Sequence, residues 1–228
     1  QFHLNEYQIG LVLGGFGISM ALTHIPAGRL ADRVGRRPLL LVAWMLGLVS
    51  TLIMGWAVLL PLFLVGLFAY GLTAFVSSPL SSYMTAARGE WSVGKVLSLT
   101  TATYGMGMAL GPLTGGWIGD HYGMRMTFWV AAAVFVVSNI FMSFIEGQPI
   151  DHHDPGAPPP GLLSNQRFIA LMVVMAFAIF SMYLAQPLTP NFLNSVRGLS
   201  LSKTGIIFTA GALGNSIMAM IFSRVEPR

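Results

Sequence analysis

Residues 28–38 have the sequence Gly28-Arg29-Leu30-Ala31-Asp32-Arg33-Val34-Gly35-Arg36-Arg37-Pro38. This charged stretch separates two apolar stretches, residues 8–27 and 38–56, each close to the roughly 20 residues that an α-helix needs to cross a bilayer. Arginines in short loops favour the cytoplasmic side of a membrane, glycine permits a sharp turn, and proline suits the first turn of a helix. The stretch therefore predicts a tight cytoplasmic turn between two membrane-spanning helices.

The composition of the chain agrees with a membrane protein. Of its 228 residues 54% are hydrophobic and only 9% are charged, whereas a soluble domain carries about 25% charged residues. We assign the net charge of +4 to membrane topology, so we predict a lipid bilayer and no nucleic acid as a partner. The chain has no cysteine, which excludes disulfides and cysteine metal sites, and we expect no cofactor.

Seven apolar stretches predict an all-α, polytopic membrane protein. Nine of the twelve Lys and Arg residues fall on one side of these stretches, which places the start of the chain outside and its end in the cytoplasm of an inner or plasma membrane. The predicted spans are residues 8–27, 38–56, 61–84, 96–118, 126–145, 168–190 and 204–222.

A segment rich in proline and glycine, residues 147–166, predicts a flexible cytoplasmic linker. It contains Asp151-His152-His153-Asp154. These four residues could suggest a metal site, but sequence neighbours on a flexible loop rarely converge on one ion. We therefore interpret them as part of a solvated linker.

The stretches on either side of the linker indicate an internal repeat. At an offset of 195 residues the small residues of the first span, such as Gly10, Gly14 and Gly17, align with Gly205, Thr209 and Ala212. Both spans also share a polar entry and a basic exit. Small-residue faces are common wherever membrane helices pack, which is the alternative. A repeat predicts six spans per half, with a helix preceding this chain.

The turn at residues 28–38 resembles the signature loop of the major facilitator superfamily, G-x-L-a-D-r-x-G-r-k/r, between its second and third helices. The resemblance implies a latch in which Asp32 and Arg33 interact with a helix dipole of the other half and stabilise the outward-facing state. It assigns a conformational-switch loop to Gly28, Asp32, Arg33, Gly35, Arg36 and Arg37. The alternative, topology-determining arginines alone, does not require the aspartate or the glycines.

A second stretch resembles the fifth-helix motif of antiporter branches of that family, g-x-x-x-G-P-x-x-G-G. It comprises Gly107, Gly111, Pro112, Gly115 and Gly116. Glycines 107, 111 and 115 recur every four residues and are expected to let a neighbouring helix approach, while the proline can kink the helix. Tight packing with no bearing on transport direction is the alternative.

Weaker matches extend this resemblance over the whole chain, as helices two to eight of a twelve-helix protein. Gly123-Met124-Arg125 with Phe128 resembles the entry to helix six, and Pro187–Leu193 resembles a segment of helix seven. Residues 1–146 then form the first half without its first helix, and residues 167–228 begin the second half. We expect a monomer.

Polar faces at helical spacing predict a substrate cavity in three of the spans. A lining without fixed charge suits an uncharged or amphiphilic small molecule. Alternatively, the hydroxyls bond their own backbone and line nothing. The candidate residues are Tyr70, Thr73 and Ser77, then Thr101 and Tyr104, then Tyr183, Gln186 and Asn191.

Every Asp, Glu, Lys and Arg falls in a loop or at a span end, and the helix-four arginine of many proton-coupled exporters is absent before Gly71. Any proton-coupling carboxylate is therefore expected outside these 228 residues. The resemblance implies a secondary transporter of a small organic solute that works by alternating access, with proton-coupled efflux as the leading mechanism. An importer or facilitator is the first alternative. A sensor or scaffold is the second, and we predict no enzyme.

Overall fold

A computed structural model of the chain describes residues 2, 4–148, 165–183 and 186–224, and for residues 25, 28, 29, 32, 182, 215 and 219–224 it describes the backbone alone. Within these ranges the regular structure is entirely helical. The helices are α1 (Glu6–Val34), α2 (Arg36–Trp56), α3 (Leu60–Leu72), α4 (Ser77–Ala86), α5 (Val93–Tyr122), α6 (Met124–Ser143), α7 (Gln166–Tyr183), α8 (Thr189–Asn191) and α9 (Leu201–Arg224).

Four helical segments in the described ranges are long and apolar enough to cross a membrane: Arg36–Trp56, Leu60–Ala86, Met124–Ser143 and Gln166–Val196. The other three predicted spans correspond to α1, α5 and α9, which have 29, 30 and 24 residues. These three are long enough at about 1.5 Å per residue, but they contain many Gly, Ser and Thr residues and are less apolar. The seven predicted spans fall largely on helical segments, with residues 184 and 185 of the sixth span outside the described residues. Membrane crossing by α1, α5 and α9 stays a prediction.

The connection at residues 28–38 is shorter than the predicted turn. Helix α1 continues through Val34, and Gly35 alone separates it from α2. Gly35 has φ +83°, and Gly123 joins α5 to α6 with φ +84°. Both positions require glycine because a side chain is strained at such a φ. Gly28 instead lies within α1 and forms no sharp turn, whereas Pro38 does occupy the first turn of α2.

The third predicted span, residues 61–84, is not one continuous α-helix. A 3-10 turn, Thr73–Val76, separates α3 from α4. The hydroxyls of Thr73 and Ser77 donate to the carbonyl oxygens of Tyr70 and Ala74, three residues earlier, at 2.7 and 3.2 Å. Such bonds compete with the α-helical pattern, and Pro79 removes a further backbone donor.

The best-buried part of the described structure lies where α2 packs against α3 and α6. Leu40 and Ser50 are fully buried there. Glycines on α2 leave room for aromatic rings of α6, since a Cβ added at Gly47 or Gly55 would lie 2.6 Å from the ring of Phe135 or 3.2 Å from that of Trp129. This packing unites helices from the first half of the chain.

Helices α1 and α9 begin at residues 6 and 201, which reproduces the repeat offset of 195 residues. The two helices use their small-residue faces differently. On α9 a Cβ at Gly205 would collide with the carbonyl oxygen of Pro112, whereas a Cβ at Gly10, Gly14 or Gly17 of α1 would meet no atom of the described residues within 4 Å. Within the described ranges no helix therefore packs against α1 at these glycines, whereas α5 packs against α9.

Candidate functional site

The predicted switch loop has two parts in the structure. Gly28 and Asp32 lie in the last turns of α1, and the side chain of Asp32 lies outside the described structure. Arg33 is exposed in the last turn of α1, where a positive charge suits the helix dipole. The latch assigned to Asp32 and Arg33 stays a prediction.

Arg36 and Arg37 connect α2 to other helices of the same half. Arg36 donates to the amide oxygen of Gln148 at 3.2 Å, and Arg37 donates to the carbonyl oxygen of Ser143 at 3.4 Å. Gln148 in turn donates to the carbonyl oxygen of Tyr83 at 2.9 Å. These bonds fasten the end of α6 to α4 and to the start of α2. Sequence reasoning missed Tyr83 and Gln148, because the bonds span 65 and 112 residues and no local pattern indicates them.

The antiporter-like motif lies along the contact between α5 and α9, which we call the α5–α9 seam. The two helices are antiparallel, so successive positions along α5 meet earlier positions along α9. The seam comprises Gly105, Ala109, Pro112, Gly116 and Gly119 on α5, and Leu201, Gly205, Thr209 and Ser216 on α9.

Backbone meets backbone within the α5–α9 seam. A Cβ added at Gly116 would lie 2.5 Å from the carbonyl oxygen of Leu201, and one at Gly119 would lie 2.9 Å from its side chain. A Cβ at Gly107, Gly111 or Gly115 would meet nothing within 4 Å among the described residues. The close approach between α5 and α9 therefore does not use these three glycines, and their role in letting another helix approach stays a prediction. They lie on another face of α5, and the seam follows a stripe spaced by four, three, four and three residues.

The end of α5 contributes a charged group to the start of α9. Leu201 and Ser202 donate their backbone N–H groups to the carboxylate of Asp120, at 2.9 and 2.8 Å. Hydrogen bonds from the hydroxyl and the N–H of Ser202, with those from Leu201 and Ser200, lower the pKa of Asp120 to about 2. Sequence reasoning missed this residue, since its partners lie 81 and 82 residues away.

The hydroxyls of the predicted substrate cavity are largely used within their own helices. Thr73, Ser77 and Thr101 each donate to a backbone carbonyl oxygen three or four residues earlier. The O–H groups of these residues therefore bond their own backbone, as the alternative interpretation expects, although each hydroxyl oxygen can still accept a hydrogen bond.

The aromatic cavity candidates are more accessible. Tyr70 is 37% exposed and packs edge-on against Phe135 at a centroid distance of 6.3 Å, while Tyr104 is 70% exposed. Tyr183 and Gln186 are exposed, and Asn191 is half-buried.

A separate cavity of about 420 Å³ lies beside the α5–α6 connection and is lined by Phe2, Val58, Tyr122, Gly123 and Arg125. None of the predicted substrate residues is among these. Residues 149–164 of the predicted linker, which include Asp151-His152-His153-Asp154, lie outside the described residues. Within the described ranges no three His, Cys, Asp or Glu side chains are grouped to hold an ion.

Comparison with known proteins identifies the family. A sequence model of the Major Facilitator Superfamily matches residues 1–228. The chain belongs to the Major Facilitator Superfamily. Membership agrees with the motif resemblance and with the four apolar helices, and it makes the chain a multi-pass membrane protein of that fold.

Several curated relatives carry names that refer to drug resistance. Multidrug resistance protein 1 of Bacillus subtilis is 22% identical over 227 residues, which are 97% of this chain and 58% of the relative. Multidrug resistance protein MdtG of Klebsiella pneumoniae is 27% identical over 199 residues, 82% of this chain and 46% of the relative. An uncharacterized MFS-type transporter of Methanocaldococcus jannaschii is 27% identical over 58% of this chain and 35% of its own length. The chain thus spans about a third to three fifths of these relatives.

Among solved structures, the chain resembles the crystal structure of the nucleoside transporter NupG. The TM-score is 0.72 at 13% sequence identity, over 95% of this chain and 60% of the other. At this identity the likeness shows the fold alone. It supports the helical arrangement described above.

Proposed function

We propose that the protein is a secondary transporter that moves a small organic solute by alternating access, with proton-coupled export as its mechanism. The observation that carries this proposal is the match of the Major Facilitator Superfamily over residues 1–228. The names of relatives that cover 82% and 97% of the chain favour efflux.

The geometry of the α5–α9 seam supports alternating access. The seam joins α5, which precedes the linker, to α9, which follows it. Its closest contacts involve Gly116 and Gly205 and the backbone opposite them, and the side chain of Leu201 packs against Gly119. A glycine-lined contact requires little repacking of side chains when two helices separate. We therefore propose residues 1–146 and 167–228 as parts of two halves that move relative to one another.

The proposed substrate is uncharged or amphiphilic. The exposed faces near Tyr70, Tyr104 and Tyr183 offer aromatic surface and hydroxyl groups without a fixed charge. Such surfaces bind apolar molecules with few directional bonds. The coupling carboxylate is proposed to lie outside these 228 residues, since no Asp or Glu falls inside a predicted span.

Transport can be tested on the protein expressed from its complete reading frame and reconstituted in liposomes. The probe is the amphiphilic dye Hoechst 33342, whose fluorescence reports its movement out of the membrane. Export against protons predicts dye movement that needs a pH gradient and stops when an ionophore collapses the gradient. Counterflow that ignores the gradient would support a facilitator. No counterflow with any of a panel of uncharged and amphiphilic solutes would overturn the proposal and favour a sensor or scaffold.

The orientation is a proposal of its own. The distribution of Lys and Arg favours an orientation with residue 1 outside and residue 228 in the cytoplasm of the inner or plasma membrane. Cysteines introduced at Glu90 and Tyr122, in separate variants, would distinguish the two sides. The variant at Tyr122 should react with an impermeant maleimide in intact cells, and the variant at Glu90 only after the cells are opened.

A further inference from the structure

The start of α9 is held by a side chain from another helix. Its first two residues, Leu201 and Ser202, donate their N–H groups to Oδ1 and Oδ2 of Asp120 at 2.9 and 2.8 Å. The first N–H groups of an α-helix have no partner within the helix and carry partial positive charge. The carboxylate of Asp120 is therefore an interhelical cap, with its negative charge placed where the dipole of α9 attracts it.

A second, local cap acts on the same turn. The hydroxyl oxygen of Ser200 accepts the N–H of Lys203 at 3.3 Å, and its carbonyl oxygen accepts the N–H of Thr204 at 3.0 Å. The first N–H groups of α9 are thus capped from two sources, Ser200 just before the helix and Asp120 on α5. If Asp120 withdraws, Ser200 still holds the helix start and water can bond the two N–H groups that are released. The contact can therefore break without unfolding α9.

The cap lies where the two helices have no room to slide. Gly116 is one turn before Asp120 on α5, and a Cβ there would lie 2.5 Å from the carbonyl oxygen of Leu201. This end of α5 is the end predicted to face outside. Opening the protein to the outside at this place requires the start of α9 to leave Asp120.

We propose that Asp120 is a conformational latch, whose carboxylate holds the outer ends of α5 and α9 together and favours the state that is closed to the outside. This inference rests on the proposed function, because a latch of this kind acts in a protein that opens alternately to its two sides. Breaking the latch exchanges the two backbone hydrogen bonds to Asp120, and those from the hydroxyls of Ser200 and Ser202, for bonds to water, so the contact is reversible.

The test uses single cysteines, since residues 1–228 contain none. In the protein from the complete reading frame, with any other cysteine replaced by alanine, Thr204→Cys provides the outer probe. Thr204 is 7% exposed, and its hydroxyl has no hydrogen-bond partner among the described residues, so cysteine fits with little loss. Ser98→Cys, on the inner part of α5, provides the inner probe. Both are labelled with an impermeant maleimide from the appropriate side.

Asp120→Ala should speed labelling of the outer probe by about two- to tenfold, from the usual strength of a charge at a helix N-terminus, and should slow labelling of the inner probe. Asp120→Asn, which keeps the shape but not the charge, should give a smaller change. Glu90→Ala is the matched control, since it also removes one exposed carboxylate. It should leave both rates unchanged.

The opposite responses of the two probes separate a latch from a merely structural residue. A structural role predicts that Asp120→Ala loosens the protein and speeds both rates, and that result would overturn the inference. Unchanged rates would overturn it as well. Opposite changes of the two labelling rates in a protein that fails the counterflow test would support the latch and reject the transport function. Transport with unchanged labelling rates would support the transport function and reject the latch.

Discussion

The hydroxyl of Thr209 donates a 2.6 Å hydrogen bond to the carbonyl oxygen of Ala109, which lies 100 residues earlier in the chain and on a different helix. Other threonine hydroxyls of the described helices, such as those of Thr51 and Thr101, bond carbonyls of their own helix. The bond from Thr209 therefore fixes how far α9 is shifted along α5. The same register sets Gly205 against Pro112 and the start of α9 against Asp120.

Replacing Thr209 tests the energy of this bond. Thr209→Val keeps the branched shape and removes the donor, and should lower the stability of the protein by about 0.5–1.5 kcal/mol. Hydrogen bonds between helices within a membrane contribute about 0.6 kcal/mol on average, which corresponds to the lower end of that range. Thr209→Ser keeps the hydroxyl and serves as the control. Thermal unfolding of the purified protein in detergent measures the difference. Equal midpoints for the valine and serine variants would show that the bond contributes nothing.

Two adjacent glycines provide a matched test of the α5–α9 seam. Gly116→Ala places a methyl group against the carbonyl oxygen of Leu201, whereas the methyl group of Gly115→Ala meets no atom of the described residues within 4 Å. Alanine is the better helix former by about 0.5–1 kcal/mol, so Gly115→Ala should be neutral or stabilising. Overpacking at Gly116 should instead cost about 1–3 kcal/mol. Melting temperatures of the two variants in the same detergent decide the matter, and a Gly116→Ala protein as stable as Gly115→Ala would contradict the described register.

Much of the helical framework could be predicted from the sequence. Apolar stretches and charged breaks locate helices within a few residues, because a bilayer sets their length and composition. The 195-residue offset even predicts that α1 and α9 begin at equivalent positions, as Glu6 and Leu201 do. The length of the first turn was not predictable in the same way. The sequence of residues 28–34 is as compatible with a helix end as with a loop. In the structure these residues are helical, and Gly35 alone forms the connection.

The contacts between helices could not be predicted, because they depend on which face of a helix meets which neighbour. A four-residue spacing selected Gly107, Gly111 and Gly115, yet the seam uses Gly105, Gly116 and Gly119 instead. Both sets are stripes of small residues on one helix, and only the partner helix distinguishes them. Asp120 carries no local pattern either, since its bonds reach residues 201 and 202.

The latch should not respond to pH in the physiological range. Hydrogen bonds lower the pKa of Asp120 from its ordinary value of 3.8 to about 2. A lowered pKa means that the contribution of the carboxylate is complete above about pH 3.8 and is lost as the pH falls through about 2. The ratio of outer-probe labelling rates between Asp120→Asn and its parent should therefore be constant from about pH 5 to 8.

Other titratable or charged groups occupy the helix ends around Asp120: His121 and Tyr122 on α5, Arg125 at the start of α6 and Lys203 on α9. Histidine is the side chain whose charge ordinarily changes between about pH 5 and 8, so the comparison is repeated in a His121→Gln background. A ratio that changes with pH in both backgrounds would show that protons operate the latch through Asp120.

The predicted cavity is best tested at Tyr70. Its ring is held by Phe135 and its edge remains accessible, so the phenol can contact a solute without moving. Tyr70→Phe removes the hydroxyl and should raise the KM for the transported dye by about two- to tenfold, the worth of one hydrogen bond. Tyr70→Ala also removes the aromatic surface and should raise the KM further.

The matched control is Tyr7→Ala. Tyr7 is 74% exposed on α1 and is not among the predicted cavity residues. Initial rates over a range of dye concentrations give KM and kcat separately. If Tyr70→Ala and Tyr7→Ala have the same KM, Tyr70 does not line the substrate path.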